Sequence, residues 1–271
     1  MKISIQVVHK LRKITGIGIM DCKKALIQSN GDIENAIHIL RKKGEKIAID
    51  RFFHHMKDGA LIASVNSDHS YGTIIGISCE TDFLSKSPEF LNFLSILSKQ
   101  SLLFNTKIDF LRSSYNEYDS VQKMIINKMG VVGEKLEFKI FEKVDSSFVM
   151  NYTHNTNKIA TLVGFSNRVN RSIAKDIAMH IAAMNPIAIN EKQIPSSLMN
   201  KEIDIIKCQI QKENKSDFIK NKIIEGRIQK FILENTLMNQ KFVKDSKITV
   251  GEYLGKYDKN LRINLFKRVS I

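Results

Sequence analysis

Apolar residues recur at helical spacing through roughly the first 45 residues of the chain. The first apolar face consists of Val7, Val8, Leu11 and Ile14. Two further apolar stripes follow, after breaks at Thr15–Gly18 and Asn30–Asp32, where glycines supply the backbone freedom of tight turns. The pattern predicts three short helices, the last of them ending at Gly44. Such a bundle lies near the lower size limit for independent folding.

Further along, two strand-like runs separated by a polar turn, then a helical run, occur twice. The first set comprises strands at 60–65 and 71–78 and a helix at 89–100. The second set comprises strands at 147–152 and 158–165 and a helix at 174–184. Between them we expect mostly helix over 105–130 and a strand over 136–141. The recurrence indicates an internal duplication of a small antiparallel sheet covered by helices, which is an α+β architecture.

Residues 197–235 interrupt the second unit with two long apolar stripes, which predict an antiparallel helical hairpin turning at Asn214–Ser216. Residues 248–271 then return to the sheet, with Val250 and Leu254 in it and a closing strand at 261–266. The predicted organisation is a three-helix domain, a core subdomain, a second core subdomain in two pieces and a helical-hairpin insertion. Their bounds are 1–52, 53–141, 142–196 with 236–271, and 197–235.

An acid and an aromatic ring lie side by side where the second strand of the first hairpin ends, in the run Thr81-Asp82-Phe83-Leu84. General burial tendencies favour a core position for Phe83, and Asp82 is by default a turn former or helix N-cap. The other interpretation is a wedge aimed at a partner protein, because loops at strand ends are where scaffolds present functional groups.

The formal charge of +14 raises nucleic acid as a partner, but the charge is spread along the chain. Abundant Ile, Lys and Asn also indicate an AT-rich genome, which would raise the charge without any function. Both explanations stay open, and both permit an acidic protein partner. No apolar run is long enough to span a bilayer and the start does not resemble a signal peptide, so we expect a cytoplasmic protein and no membrane partner.

Motifs for catalysis or metal binding are missing from the sequence. The three cysteines are far apart and form no disulfide framework, and the pair His54-His55 has no further ligands at metal spacing. No nucleophile–base pair or catalytic motif is apparent, and a lone His180 among apolar helical residues is typically a core or interface residue. We therefore expect no catalytic residues, no metal, no cofactor and no enzyme.

Several motifs together resemble the elongation factor Ts family, in order and over nearly the whole chain. They are Thr15-Gly16-Ile17-Gly18-Ile19-Met20-Asp21-Cys22-Lys23-Lys24-Ala25-Leu26, Glu80-Thr81-Asp82-Phe83, Ile177-Ala178-Met179-His180-Ile181-Ala182-Ala183, Glu225-Gly226-Arg227 and Leu237-Met238-Asn239-Gln240-Lys241-Phe242-Val243. The resemblance implies a bacterial guanine-nucleotide exchange factor that binds elongation factor Tu, both GDP-bound and nucleotide-free. It also implies that the N-terminal bundle is ubiquitin-associated-like.

The same resemblance assigns contacts to individual residues. Thr81, Asp82, Phe83 and Leu84 would carry the wedge that displaces the partner's magnesium. Further contacts would come from Lys23 in the bundle, from His180 and from Val243. No direct nucleic-acid contact is implied, and a two-to-two assembly through the helical hairpin is left open.

The chain departs from the family pattern in three places. Residues 47–57 do not resemble the usual Ala/Lys-rich linker, Lys244 stands where an apolar contact is common, and the chain reaches Ile271 without the C-terminal helical arm of longer members. These departures put the affinity and extent of the contact in question. The positive charge supports a second hypothesis. The chain would then be an RNA- or ribosome-associated binding protein whose affinity for RNA falls steeply as the salt concentration rises.

Overall fold

A computed structural model describes residues 3–51, 53–117, 119–211 and 216–271 of the chain. Within them the helices are α1 Ile5–Thr15, α2 Ile19–Gln28, α3 Ile33–Asp50, α4 Asp82–Ser85, α5 Pro88–Ser101, α6 Lys107–Arg112, α7 Val121–Val132, α8 Arg171–Met184, α9 Ser196–Gln211, α10 Asp217–Asn235 and α11 Val250–Gly255. The strands are β1 Asp58–Val65, β2 Tyr71–Cys79, β3 Glu137–Asp145, β4 Phe148–Thr153, β5 Ile159–Phe165, β6 Lys241–Phe242, β7 Asp245–Thr249 and β8 Ile263–Ser270. The fold is α+β, as the sequence predicts.

Helices α1 to α3 form the N-terminal bundle around a small apolar core. That core consists of Val8, Leu11, Ile17, Cys22, Ala25, Leu26, Ala36 and Leu40. Ser4 and Asp32 cap α1 and α3 by accepting backbone N–H bonds, and Gly16 ends α1 at φ 71°. Ile14, on the predicted first apolar face, is 56% exposed, and Met20, in the first turn of α2, is 65% exposed. Ile17, in the turn between the helices, is buried in their place.

The prediction that Gly44 ends the third helix is wrong, because α3 continues to Asp50. Gly44 faces α7, and a Cβ added there would lie 2.6 Å from the carbonyl oxygen of Ile126. A Cβ on Gly130 would likewise come within 3.0 Å of the Gly44 nitrogen. The two glycines thus let α3 and α7 approach closely, and α3 includes residues 47–50 of the atypical 47–57 stretch.

Strands β1, β2 and β3 form the first antiparallel sheet in that order, and β4, β5 and β8 form the second. Helices α5 and α7 pack on the first sheet and share one apolar cluster with it. Helix α8 packs on the second sheet over a separate apolar cluster. The hairpin-then-helix order therefore recurs as predicted. Ser87 caps α5 through the N–H of Phe90, and Pro88 occupies its first position, as the sequence indicates.

The two sheets also pack against each other through a third cluster. It consists of Leu61, Ala63, Ile74, Val144, Val149, Ala160 and Leu162. Hydrogen bonds cross the same boundary, for example from Leu61 N–H to the Asn157 carbonyl at 2.7 Å. Strand β3 runs on to Asp145, beyond the expected strand end at residue 141.

The insertion is a pair of helices, α9 and α10, with few buried side chains. The predicted turn at Asn214–Ser216 lies mostly outside the described residues. Val250 and Leu254 do not extend the sheet, since they are buried on α11, which begins with a capping box between Thr249 and Glu252. The closing strand β8 begins at Ile263, two residues later than expected, and extends to Ser270.

Candidate partner-binding site

The predicted Thr81–Leu84 site follows the end of β2: Thr81 precedes a single helical turn, α4, and Asp82 to Leu84 lie within that turn. Thr81, rather than Asp82, is the N-cap of that turn, because its hydroxyl accepts the Leu84 N–H at 3.3 Å. Asp82 is the first residue of the turn and is half-exposed, and it pairs with Lys86 one turn later at 2.7 Å. Leu84 packs inward against the first core cluster.

Phe83 lies at the tip of this turn and is 84% exposed. The general burial tendency of Phe, which favoured a core position, is wrong here. Seven residues later, Phe90 on α5 is fully buried and fills the core of the same unit. The Phe83 ring is therefore accessible from solvent and adds little to the core of this unit.

Glu134, at the junction of α7 and β3, holds the start of the turn. One of its carboxylate oxygens accepts the backbone N–H groups of Glu80 and Thr81 at 3.2 and 3.1 Å. Its other oxygen accepts the Thr81 hydroxyl at 2.6 Å. Below them, the Cys79 thiol donates to the Thr81 carbonyl at 3.2 Å. Burial, aided by Glu134 and Asp58, raises the pKa of this thiol to about 12, so it stays protonated.

Glu80 makes the complementary set of bonds. One carboxylate oxygen accepts the Lys135 backbone N–H at 2.7 Å, and the other pairs with Arg51 at 2.8 Å and His54 at 3.0 Å. Partial burial alone would raise the pKa of Glu80, but these hydrogen bonds and the Arg51 charge outweigh it and lower the pKa to about 2. Arg51 and His54 belong to the 47–57 stretch that departs from the family pattern. Both bind Glu80 beside the site.

The far end of the turn is tied to the second unit. Lys158, in the β4–β5 turn, reaches the Asp58 carboxylate, the Gly59 carbonyl at 2.6 Å and the Ser85 hydroxyl at 3.3 Å. Burial would raise the pKa of Asp58, but hydrogen bonds from Lys158, Ser85 and Gly59 lower it overall. Anchors from three parts of the chain therefore fix the segment that carries Phe83.

His180 and Val243 come together at a second place. The His180 ring is fully buried on α8, its Nδ1 accepts the Val243 N–H at 3.1 Å and its Nε2 donates to Gln240 at 3.0 Å. Burial lowers the pKa of His180, which keeps the ring neutral in that tautomer. Val243 itself is 46% exposed. His180 therefore shapes the backbone at Val243 rather than presenting its own ring at the surface.

An apolar groove of about 370 Å³ opens beside Val243. It is lined by Tyr152, His154, Ile159, Met179, Ala182, Ala183, Val243, Lys244 and Arg268. Lys244, the departure from the family pattern, pairs with Asp176 on α8 at 2.6 Å. Lys23 is exposed on α2 of the N-terminal bundle, on an element separate from both groups. Across the described ranges, no group of three or more His, Cys, Asp or Glu side chains is placed to hold a metal ion.

Sequence reasoning missed Glu134 and Lys158 as parts of the site. Glu134 contacts a residue 53 positions away, and Lys158 bonds to Ser85 across 73 positions. A single sequence carries no signal for such pairings. The one available hint is Gly133, in the left-handed conformation at φ 76°, which ends α7 and delivers Glu134 to the site.

These features define an α+β protein with an anchored, exposed acidic-aromatic turn. The family model "Elongation factor TS" matches residues 80–271. Elongation factor Ts of Flavobacterium psychrophilum is 42% identical, with 97% of each chain covered, and that of Christiangramia forsetii is 40% identical over 100% of this chain and 99% of its own. Elongation factor Ts of Teredinibacter turnerae is 37% identical over 94% of this chain and 87% of its own.

The chain belongs to the elongation factor Ts family, and it is a translation elongation factor. In the part of the chain that the structure describes, no helix has both the length and the apolar character needed to cross a membrane.

Proposed function

We propose that this protein is a guanine-nucleotide exchange factor for elongation factor Tu and carries out no chemistry of its own. It would bind the GDP-bound partner, promote GDP release and leave when GTP binds, in the cytoplasm, where translation takes place. The observation that carries the proposal is the exposure of Phe83, at 84%, on a turn fixed by Glu134, Glu80 and Lys158.

The mechanism follows from how proteins hold GDP. The diphosphate is bound by backbone N–H groups of a phosphate loop and by magnesium. A small displacement of those groups weakens several charge-assisted bonds at once. In this proposal Phe83 and Asp82, followed by Leu84, enter the partner near its magnesium and cause that displacement, and Asp82 binds no metal itself.

The free energy for this displacement comes from the rest of the interface. Lys23 on the bundle and Val243 beside its apolar groove supply further contacts, and His180 contributes by holding the Val243 backbone. Coupling is reciprocal, so a factor that weakens GDP binding is itself weakened by GDP. The factor can therefore act repeatedly without any covalent step or cofactor.

The competing proposal, an RNA- or ribosome-associated protein, rests only on the charge of +14. The cations beside the Phe83 turn, Lys86 and Arg51, are engaged in ion pairs with Asp82 and Glu80. The site geometry therefore favours a protein partner.

The test is the release of fluorescent GDP from elongation factor Tu, followed by stopped flow with excess unlabelled nucleotide. The rate should rise with the concentration of this protein and then saturate. A rate equal to spontaneous release at every concentration would refute the proposal. Tight RNA binding in the absence of elongation factor Tu, with a steep loss between 50 and 200 mM salt as an approximate range, would support the competing one.

A further inference from the structure

We propose that Glu134 is a positioning residue for nucleotide exchange, which orients the turn carrying Phe83 before the partner binds. The inference rests on the proposed function and adds a residue outside the turn to it. Glu134 does not reach the surface that Phe83 presents. It acts through Thr81, the residue that starts the turn.

The geometry is a reciprocal exchange between two segments of chain. Glu134 accepts the N–H groups of Glu80 and Thr81, and Glu80 in turn accepts the N–H of Lys135 at 2.7 Å. Each glutamate thus binds the backbone beside the other, so the residues that follow β2 are held to the residues that precede β3. Bonds to ionised carboxylates are stronger than those between neutral groups.

Glu134 also sets the direction of the Thr81 hydroxyl. A hydroxyl has one hydrogen to donate, and Thr81 donates it to Glu134 at 2.6 Å. A lone pair of the same oxygen is left to accept the Leu84 N–H, which caps the turn. Without Glu134 the Thr81 hydroxyl would be free to rotate. Its hydrogen bond with the Leu84 N–H would then be only one of several orientations.

This matters because the turn cannot hold itself. α4 has only four residues, far fewer than an isolated helix needs to persist in water. Phe83 does not anchor it, since the ring is largely exposed. The direction of Phe83 therefore comes from the packing of Leu84 against the core and from the anchors on either side of the turn. A contact group fixed in advance loses less entropy on binding, and a mispositioned one cannot distort the partner's site.

The test compares Glu134→Ala and Glu134→Gln with the wild type and with Glu137→Ala. Glu137 is an exposed glutamate three residues further on, at the start of β3, and serves as the matched control. Stimulated GDP release is measured over a range of factor concentrations, which separates the maximal rate from the half-saturating concentration. Amide hydrogen exchange at Glu80 and Thr81 is measured on the same proteins without any partner.

We expect Glu134→Ala to lower the maximal rate by about tenfold or more, since three charge-assisted bonds are lost, while half-saturation changes by less than about threefold. Exchange of the Glu80 and Thr81 amides should accelerate. Glu134→Gln keeps one acceptor oxygen, so its maximal rate should lie between those of Glu134→Ala and the wild type. The maximal rate of Glu137→Ala should equal that of the wild type.

A maximal rate within about twofold of the wild type for Glu134→Ala would overturn the inference. So would an equal loss in Glu137→Ala, or a loss confined to half-saturation. If the wild type itself fails to accelerate GDP release, the proposed function fails, and the hydrogen-exchange result then shows separately whether Glu134 orders the turn.

Discussion

Phe83 and Phe90 show how two residues of the same type, seven positions apart, take opposite roles. Phe90 is fully buried on α5 and Phe83 is 84% exposed on α4. Hydrophobicity alone assigns both to the core. Thr81 and Ser87 each cap a separate element, so Phe83 lies on a short turn and Phe90 on the longer helix that follows it. The exposed ring could be recognised from sequence only through the family motif.

Glu80 carries the strongest pH prediction at this scale. Its pKa is lowered from 4.5 to about 2, so its bonds stabilise the fold fully above about pH 4.5 and are lost as the pH falls towards 2. Glu80→Gln should therefore reduce the free energy of unfolding at neutral pH, by at most about 3 kcal/mol. The difference between wild type and variant should shrink as the pH falls from 4.5 towards 2.

Denaturant unfolding of both proteins at a series of pH values measures this difference. A difference that stays constant down to pH 3, or that grows as the pH falls, would contradict the assignment of the lowered pKa to Glu80. A parallel loss of stability in Arg51→Ala would identify the Arg51 side chain as part of the cause.

Among the elements, those with a strong local period were predictable and those set by distant contacts were not. The hairpins, α5 and α8 follow from alternation, helical spacing and caps. The length of α3 could not be predicted in this way. The local sequence around Gly44 indicates a helix end, but Gly44 is a point of contact between α3 and α7. Likewise, the apolar residues of α11 are assigned to the sheet unless the capping box formed by Thr249 and Glu252, which marks a helix start, is recognised.

Gly44 gives a prediction with an internal control. Alanine is normally better than glycine within a helix by about 1 kcal/mol, but a Cβ at residue 44 would lie 2.6 Å from a backbone oxygen of α7. Gly44→Ala should therefore destabilise the protein by about 1–3 kcal/mol. Gly226, within α10, has open space around it, so Gly226→Ala should be neutral or stabilising by up to about 1 kcal/mol.

Thermal unfolding of the two variants and of the wild type measures the sign of each stability change. Opposite signs support the close packing of α3 on α7. Stabilisation by both substitutions would mean that the bundle does not dock closely on α7.

For the molecule as a whole, the exposed turn is supported from three directions. Arg51 and His54 reach it from the end of the N-terminal bundle, Glu134 from the first unit and Lys158 from the second. The two sheets are themselves packed together, so the supports share one framework. The N-terminal bundle, although a separate core, is thus connected to the turn through residues that depart from the usual linker of the family.

In the proposed function, Phe83 drives GDP release from elongation factor Tu. The most direct measurement is the maximal rate of fluorescent GDP release at saturating factor, for the wild type, Phe83→Ala and Leu103→Ala. Leu103 is an apolar residue of the same unit that is 75% exposed and lies outside the turn, so its substitution controls for lost surface hydrophobicity. Phe83→Ala should reduce the maximal rate by about tenfold or more, as for a central aromatic contact, with unchanged thermal stability, and Leu103→Ala should not. A Phe83→Ala rate equal to that of the wild type would contradict the account.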